Sequence, residues 1–159
     1  MSDTLLIGVI SDTHGLLRPE ALAALRGCTA IIHAGDVGTL EILESLRQIA
    51  PVTAVRGNID EGSACAALPE RATVSLGGHR LLVLHDLAQL GIDPAAEGLQ
   101  AVITGHSHVP RIERRQGVLF LNPGSAGPRR FKLPITLAHL TLADGELQAR
   151  LVDLANVRE

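Results

Sequence analysis

The sequence has almost no aromatic residues: it contains two Phe and neither Tyr nor Trp. Proteins that hold single-stranded nucleic acid usually stack the bases on aromatic rings. The net charge of −3 adds no electrostatic attraction for a polyanion. Both shortages argue against nucleic-acid binding, and we therefore expect no nucleic-acid partner.

Cysteines and long apolar segments are also scarce. Cys28 and Cys65 are far apart and form no CxxC pair, which indicates free thiols in a reducing compartment. No apolar run approaches the roughly 18 residues that a membrane span needs. The first ten residues carry an acidic but no basic residue before their apolar stretch, unlike a secretory signal. These features predict a cytoplasmic protein with no membrane partner.

The composition of the 159 residues suits a single globular domain that spans residues 1–159. Hydrophobic residues make up 46% and charged residues 19%, which is typical of a folded rather than a disordered chain. No repeat, low-complexity tract or linker indicates a second domain. Homo-oligomer formation stays open at this point.

The first third of the chain alternates short apolar runs with helical patterns. Strands are predicted at Leu5–Ile10, Ala30–His33 and Val52–Arg56, and helices at Pro19–Arg26 and Thr39–Ile49, with Thr39 as N-cap. Strands that alternate with helices favour a parallel sheet with right-handed crossovers.

The second half of the chain is dominated by pairs of apolar runs around the turn sequences Gly77-Gly78, Gln116-Gly117 and Asp144-Gly145. The predicted strands are Arg71–Leu76, His79–Leu84, Ala101–Thr104, Val109–Arg114, Val118–Leu121, Ile135–Leu142 and Glu146–Val152. Parallel units followed by mostly antiparallel pairs predict an α/β fold with two mixed sheets packed face to face and helices outside.

Five predicted strands end in segments that carry metal-ligand side chains. The segments are Asp12-Thr13-His14, Gly35-Asp36, Gly57-Asn58, His85 and Gly105-His106-Ser107-His108. Ligands in open α/β sheets collect outside the carboxyl ends of strands, where all five segments would lie. In three segments a glycine directly precedes the candidate ligand, which permits a sharp turn and a close backbone approach.

The candidate donors are imidazoles together with carboxylate or amide oxygens, without thiolates. This mixture suits Mn, Fe, Co, Ni or Zn, and fits neither an all-oxygen calcium site nor a Cys-rich structural zinc site. Seven donors are too many for one ion, whereas two ions that share one carboxylate fit. A shared aspartate holds two ions roughly 3.5–4 Å apart, and a water between them becomes hydroxide near neutral pH.

Taken in order, these motifs resemble those of the calcineurin-like metallophosphoesterases, and more narrowly those of their small YfcE-type phosphodiesterase subgroup. The resemblance extends from the first strand to about residue 125, and Asn122-Pro123-Gly124-Ser125 also fits the subgroup. It implies a four-layer α/β/β/α fold. It also implies a dinuclear-metal phosphodiesterase that uses a metal-bridging hydroxide to hydrolyse a small phosphodiester or an activated phosphate ester.

The resemblance further implies a role for each candidate ligand. Asp12, His14 and His108 are expected to hold one ion, and Asn58, His85 and His106 the other, with Asp36 as the bridge. Asp36, Asn58 and His85 are the expected catalytic residues. The implied cofactors are two divalent transition-metal ions, Mn²⁺ foremost, with Ni²⁺, Co²⁺, Fe or Zn²⁺ as alternatives.

Two positions depart from the family's pattern. Many larger members have a His where this chain has Ile59, and that His assists the leaving group; the small subgroup commonly lacks it. Because Ile59 cannot donate a proton, poor leaving groups should depart slowly. Asp86 occupies a position where glycine is usual, and it either disturbs the second metal site or supports it from behind.

Several residues have two interpretations. His33 either orients Asp36 or is an ordinary hydrogen-bonded residue at a strand end. Arg129, Arg130 and Lys132 either steer a phosphate or form solvated surface. Structural roles are expected for Cys65 and Asn122, and surface positions for His79 and His139.

Two alternative functions stay open beside the phosphodiesterase. The same fold serves as a non-catalytic protein-interaction scaffold in Vps29-like proteins, but the full set of ligand side chains favours catalysis. A phosphomonoesterase is the other alternative, and both Ile59 and the small size of the chain disfavour it.

Overall fold

The computed structural model describes residues 4–157, and within them the chain forms ten strands and two α-helices. The strands are β1 (Leu5–Ile10), β2 (Ala30–His33), β3 (Val52–Ala54), β4 (Arg71–Leu76), β5 (His79–Leu84), β6 (Ala101–Ile103), β7 (Arg111–Arg115), β8 (Val118–Asn122), β9 (Thr136–Ala143) and β10 (Glu146–Asp153). The helices are α1 (Pro19–Leu25) and α2 (Leu40–Arg47). Short 3-10 turns cover Asn58–Asp60, Ala64–Ala67, Leu87–Gln89 and Leu154–Asn156.

The strands form two mixed five-stranded sheets. The first has the order β10-β9-β1-β2-β3, in which β1, β2 and β3 are parallel. The second has the order β4-β5-β6-β8-β7, in which β5, β6 and β8 are parallel. The antiparallel hairpin β9–β10 extends the first sheet, and the antiparallel strands β4 and β7 lie at the edges of the second. Both sheets are therefore mixed, as the sequence predicts.

The main core lies between the two sheets. Ile7 and Val9 of the first sheet belong to the same buried cluster as Val83, Ile103 and Leu121 of the second. Burying one such side chain stabilises the fold by about 1.5–3 kcal/mol. The packed sandwich therefore fixes the positions of the loops at the strand ends relative to each other.

Both α-helices pack on the outer face of the first sheet, where Leu25 of α1 and Leu43 of α2 are buried against Ile10 and Leu137. The outer face of the second sheet is covered by segment 86–100, which contributes Leu99 and a 3-10 turn. The predicted arrangement of two packed sheets flanked by helices is confirmed, with the fourth layer reduced to this segment. Thr39 occupies the N-cap position of α2, but its side chain makes no capping hydrogen bond. Within residues 4–157, no helix is both long and apolar enough to span a membrane.

Candidate metal centre

The candidate ligands come from loops that follow five strands, three in the first sheet and two in the second. Asp12 and His14 follow β1, Asp36 follows β2, Asn58 follows β3, His85 follows β5, and His106 and His108 follow β6. The backbone N–H of His106 donates to Oδ2 of Asp12 over 3.1 Å, which joins the loops of the two sheets. All seven side chains predicted from the sequence therefore belong to loops that meet at one edge of the sandwich.

Asp12, His14 and His108, termed the buried half-site, surround one carboxylate oxygen. Oδ1 of Asp12 lies 3.3 Å from Nε2 of His108 and 3.8 Å from Nε2 of His14. Asp12 is 0% exposed, and both its Oδ1 and Nε2 of His14 are buried without a hydrogen-bond partner. Buried polar atoms in proteins are normally paired, so these facing lone pairs suit a cation between them.

Asn58, His85 and His106, termed the open half-site, form the second group. Nδ1 of His85 lies 2.8 Å from the carbonyl oxygen of Ala34. Since a carbonyl only accepts, Nδ1 carries the proton and Nε2 presents its lone pair to the site. Nδ1 of His106 lies 3.3 Å from Oδ1 of Asn58, and the side chain of His106 is 48% exposed.

The amide of Asn58 also suits a cation. Its oxygen faces only acceptors, namely both carboxylate oxygens of Asp36 and Nε2 of His85. With the amide turned over, its nitrogen would lie 3.2 and 3.3 Å from the Asp36 oxygens and 3.1 Å from Nε2 of His85. Amide, carboxylate and imidazole lone pairs around one point are a donor set for a divalent transition-metal ion.

Asp36 lies between the two half-sites. Its Oδ2 is 3.5 Å from Nε2 of His14 and 3.3 Å from Nε2 of His85. Its Oδ1 accepts the backbone N–H of Ile59 over 3.0 Å. This location fits the predicted bridging role. The sequence analysis assigns His85 to the open half-site alone, but its Nε2 also lies 3.8 Å from Oδ1 of Asp12 in the buried half-site.

The carboxylates and imidazoles of the centre shift each other's pKa values. Burial alone raises the pKa of Asp12, but the nearby imidazoles of His108, His14 and His85, together with the Ser11 hydroxyl, outweigh it and keep the pKa well below its ordinary value. The pKa of Asp36 is also lowered, because its bonds to His85 and the Ile59 N–H outweigh burial. Burial lowers the pKa of His85, and the two carboxylates reverse this to a net increase. Both aspartates are therefore anionic at neutral pH, as metal ligands must be.

Five of the candidate ligands adopt left-handed backbone conformations. Their φ angles are 57° at Asp12, 48° at His14, 55° at Asp36, 72° at His106 and 64° at His108. A non-glycine residue in this region costs on the order of 1 kcal/mol or more, and such residues concentrate at functional sites. The fold thus bears a free-energy cost to aim these side chains at one point.

The glycines that precede three ligands make room for other ligands. A Cβ atom at Gly35 would lie 2.6 Å from Nδ1 of His85, one at Gly57 would overlap Asp36, and one at Gly105 would overlap Ser11 and lie 2.6 Å from Oδ2 of Asp12. Each glycine therefore permits the close approach that the sequence predicts.

Asp60 supports the centre from behind, a role that the sequence analysis missed. Its buried carboxylate accepts the backbone N–H groups of Val37, Gly38 and Gly57 over 3.1, 3.0 and 2.9 Å. These three residues flank Asp36 and Asn58 in the chain. Only the position of Asp60, two residues after Asn58, hints at this role in the sequence.

His33 is fully buried between two ligand loops. Its Nδ1 accepts the N–H of Gly35 over 3.1 Å, so Nε2 carries the proton and donates to Thr13 Oγ1 over 3.0 Å. Burial lowers the pKa of His33 to about 4. His33 is thus a neutral residue at a strand end whose bonds reach the chain neighbours of Asp12 and Asp36.

Asn122 has the structural position expected from the sequence. Its amide donates to the carbonyl of Gly105 and to Ser107 Oγ over 2.9 and 3.1 Å, which holds the loop that carries His106 and His108. Cys65 is buried in the cluster under the first sheet, which agrees with a packing role.

Four other residues considered in the sequence lie elsewhere. Arg129 and Lys132 line a different cleft, together with Arg18 and residues 153–155, and Nε of Arg129 donates to the carbonyl of Leu133. His79 lies near its turn, with Nδ1 3.3 Å from the carbonyl oxygen of Gly77. His139 is half-buried, with Nε2 2.7 Å from the carbonyl oxygen of Ala24, so it is less exposed than expected.

A cleft opens next to the open half-site. Besides Asn58, His85 and His106, it is lined by Arg56, Glu61, Glu70, Arg71, Asp86 and Gln89, among others. Ile59 beside it is 41% exposed. The centre can therefore be reached from solvent on the side of the open half-site.

Comparisons with known proteins agree with this geometry. Residues 5–145 match the family model described as the calcineurin-like phosphoesterase superfamily domain. A probable metallophosphoesterase of Methanocaldococcus jannaschii is 34% identical over 167 residues, which cover 97% of this chain and 84% of that protein.

Two solved structures share the fold at lower identity. An archaeal phosphodiesterase superposes with a TM-score of 0.74 at 22% identity, covering 94% of this chain and 99% of that one. The vacuolar protein sorting 29 protein of Cryptosporidium parvum superposes with a TM-score of 0.75 at 20% identity, covering 96% and 98% of the two chains.

Proposed function

Because the chain belongs to the calcineurin-like phosphoesterase superfamily, we propose that it is a phosphodiesterase that hydrolyses a small phosphodiester or an activated phosphate ester. The family implies divalent metal ions, and we propose two, with Mn²⁺ foremost. One observation carries the proposal: the unpartnered Oδ1 of Asp12 and the carboxylate of Asp36 are surrounded by imidazole nitrogens 3.3–3.8 Å away.

Each group of the chain has a defined part in this proposal. Asp12, His14 and His108 would hold one ion, Asn58, His85 and His106 the other, and Asp36 would contact both. Bound divalent ions lower the pKa of water and polarise the oxygens of a phosphoryl group. The Ile59 N–H keeps Asp36 in its orientation, and the carbonyl of Ala34 keeps Nε2 of His85 directed at the site.

The side chain of Ile59 supports esters with good leaving groups as substrates. It is exposed next to the centre and cannot donate a proton to a departing alkoxide. We expect bis(p-nitrophenyl) phosphate to be hydrolysed with Mn²⁺ faster than p-nitrophenyl phosphate, as a phosphodiesterase requires. We also expect it to be hydrolysed at least about tenfold faster than a dialkyl phosphate, since acid catalysis contributes typically 10²–10⁴-fold where a donor is present. Release of p-nitrophenol from the two aryl esters, and of the alcohol from the dialkyl phosphate, measures both ratios.

The matched variant is Ile59→His, which introduces a proton donor at the same position. It should raise the rate for esters with alkyl leaving groups relative to the wild-type chain. Asp36→Ala should abolish turnover while the chain stays folded, as judged by circular dichroism. A wild-type chain that is equally active after complete removal of metal, or an active Asp36→Ala variant, would refute the proposal.

A non-catalytic scaffold is the competing function, since the Cryptosporidium protein has a similar fold. At 20% identity this similarity concerns the fold alone. The complete set of imidazole and carboxylate donors supports hydrolysis instead, because a binding surface has no need of buried unpartnered lone pairs. Stoichiometric capture of a protein partner without any metal-dependent hydrolysis would favour the scaffold.

A further inference from the structure

The two ring nitrogens of His106 face different partners. Nδ1 lies 3.3 Å from Oδ1 of Asn58, inside the open half-site, and Nε2 lies 3.9 Å from Oδ2 of Asp86, outside it. An imidazole that binds a metal through one nitrogen carries its proton on the other, and that N–H usually donates to a carboxylate, a carbonyl or a water. The geometry makes Nδ1 of His106 the ligand atom and directs its Nε2–H toward Asp86.

Asp86 is held in place for this contact. Its Oδ1 accepts the N–H of Ala88 over 3.0 Å and caps the 3-10 turn Leu87–Gln89, which leaves Oδ2 free to face His106. The separation of 3.9 Å exceeds a direct hydrogen bond, so the contact requires a bridging water or an approach of about 1 Å.

We infer that Asp86 is a positioning residue that fixes the His106 imidazole for the second metal ion, an inference that rests on the proposed function. The neighbouring His85 is oriented in the same way by the carbonyl of Ala34. His106 is the more exposed of the two, because its side chain is 48% exposed against 6% for His85. An exposed ring has more freedom to rotate, so an orienting carboxylate matters more for His106 than for His85.

The test is a calorimetric titration of the metal-free, full-length chain with Mn²⁺ alone. Asp86→Asn keeps an oxygen that can cap Ala88 but removes the charge, and Asp86→Gly removes both. In Asp86→Asn the Kd of the second ion should rise about 10–100-fold, while the Kd of the first stays within about twofold. The thermal unfolding midpoint of metal-free Asp86→Asn should equal that of the wild-type chain.

Asp93→Asn is the matched control. Asp93 caps Ala95 in the same connection, as Asp86 caps Ala88, but it lies outside both half-sites. Both ions should bind to Asp93→Asn as to the wild-type chain. Suppose that the wild-type chain binds two ions. If Asp86→Asn then binds both as tightly as the wild-type chain, or loses affinity equally for both, the inference about Asp86 is wrong and the dinuclear proposal stands. If the wild-type chain takes up fewer than two ions, the inference and the dinuclear proposal both fail.

Discussion

The two half-sites differ in their burial. Asp12 and His108 are 0% and 2% exposed, whereas Asn58 and His106 lie at the surface next to a cleft. Charges attract more strongly where solvent screening is weak. The buried half-site should therefore bind its ion more tightly, and the open half-site should be the side from which substrate enters. If the proposed function holds, the difference teaches that one centre combines a half-site suited to tight metal binding with a half-site suited to substrate access.

The supporting contacts show the same contrast. The buried half-site is reinforced by Ser11 and Ser125, whose hydroxyls donate to the carboxylate and the carbonyl of Asp12 over 2.7 and 3.1 Å. The open half-site depends for its orientation on the carbonyl of Ala34 and, by our inference, on Asp86. Loss of a ligand should therefore have different consequences on the two sides.

The largest effect is expected from a direct comparison of Asp12→Asn with Asn58→Ala. Oδ1 of Asp12 is the oxygen that three imidazoles approach, so Asp12→Asn should bind less than one ion per chain and lose at least about 1,000-fold in activity. Asn58→Ala should keep one ion and lose about 100-fold. Elemental analysis after gel filtration gives the ion content, and hydrolysis of bis(p-nitrophenyl) phosphate gives the rate.

Asp93→Asn serves again as the control for the loss of a carboxyl charge. Equal ion content in Asp12→Asn and Asn58→Ala would show that burial does not distinguish the half-sites. Retention of both ions in Asp12→Asn would contradict its assignment as a ligand.

Much of the fold could be predicted because each strand carries its own signal. The bounds of β1, β2, β4 and β5 are as predicted, since their alternating or continuous apolar residues end within two residues of a Gly, Ser or Asp. The sequence did not reveal that the outer face of the second sheet lacks an α-helix. Segment 86–100, which covers this face, contains apolar residues as a helix would, but it forms only a 3-10 turn that Asp86 caps.

The convergence of the candidate ligands could be predicted because each follows a strand of a parallel unit. Asp60 was missed because its three bonds go to backbone N–H groups, two of them at residues 37 and 38, and a lone Asp carries no pattern for such contacts. The burial contrast between the half-sites was missed for a related reason. It depends on how the loops of two sheets pack, and no local sequence feature records that packing.

A smaller effect is expected from His33, which supports the loops of the buried half-site. Its folded pKa of about 4 lies below the ordinary 6.5, so the unfolded chain binds more protons between these values. Stability from His33 is therefore complete above about pH 6.5 and is lost as the pH falls toward 4. Between pH 7 and pH 5 the loss should be about 2 kcal/mol.

Urea denaturation with a chelator present, at pH 7 and pH 5, tests this expectation against His33→Gln. The variant should be less stable at pH 7, because it loses the bonds to Gly35 and Thr13. Between pH 7 and pH 5, however, its free energy of unfolding should fall by about 2 kcal/mol less than that of the wild-type chain. The opposite slope, or equal slopes for the two chains, would show that His33 is not a buried neutral residue.

The smallest effect is expected from an arginine beside the open half-site, compared with an arginine in a different cleft. Arg56 lines the cleft of the open half-site, where its Nη1 donates to the carbonyl of Leu68 over 3.2 Å, whereas Arg129 lines a different cleft. Half-exposed charges contribute little because solvent screens them, so Arg56→Gln should raise KM for bis(p-nitrophenyl) phosphate only about two- to fivefold, with kcat unchanged. Arg129→Gln should leave both constants unchanged. If Arg129→Gln raised KM more than Arg56→Gln, substrate would reach the metals past the loop after Asn122. The prediction that substrate enters through the open half-site would then be wrong.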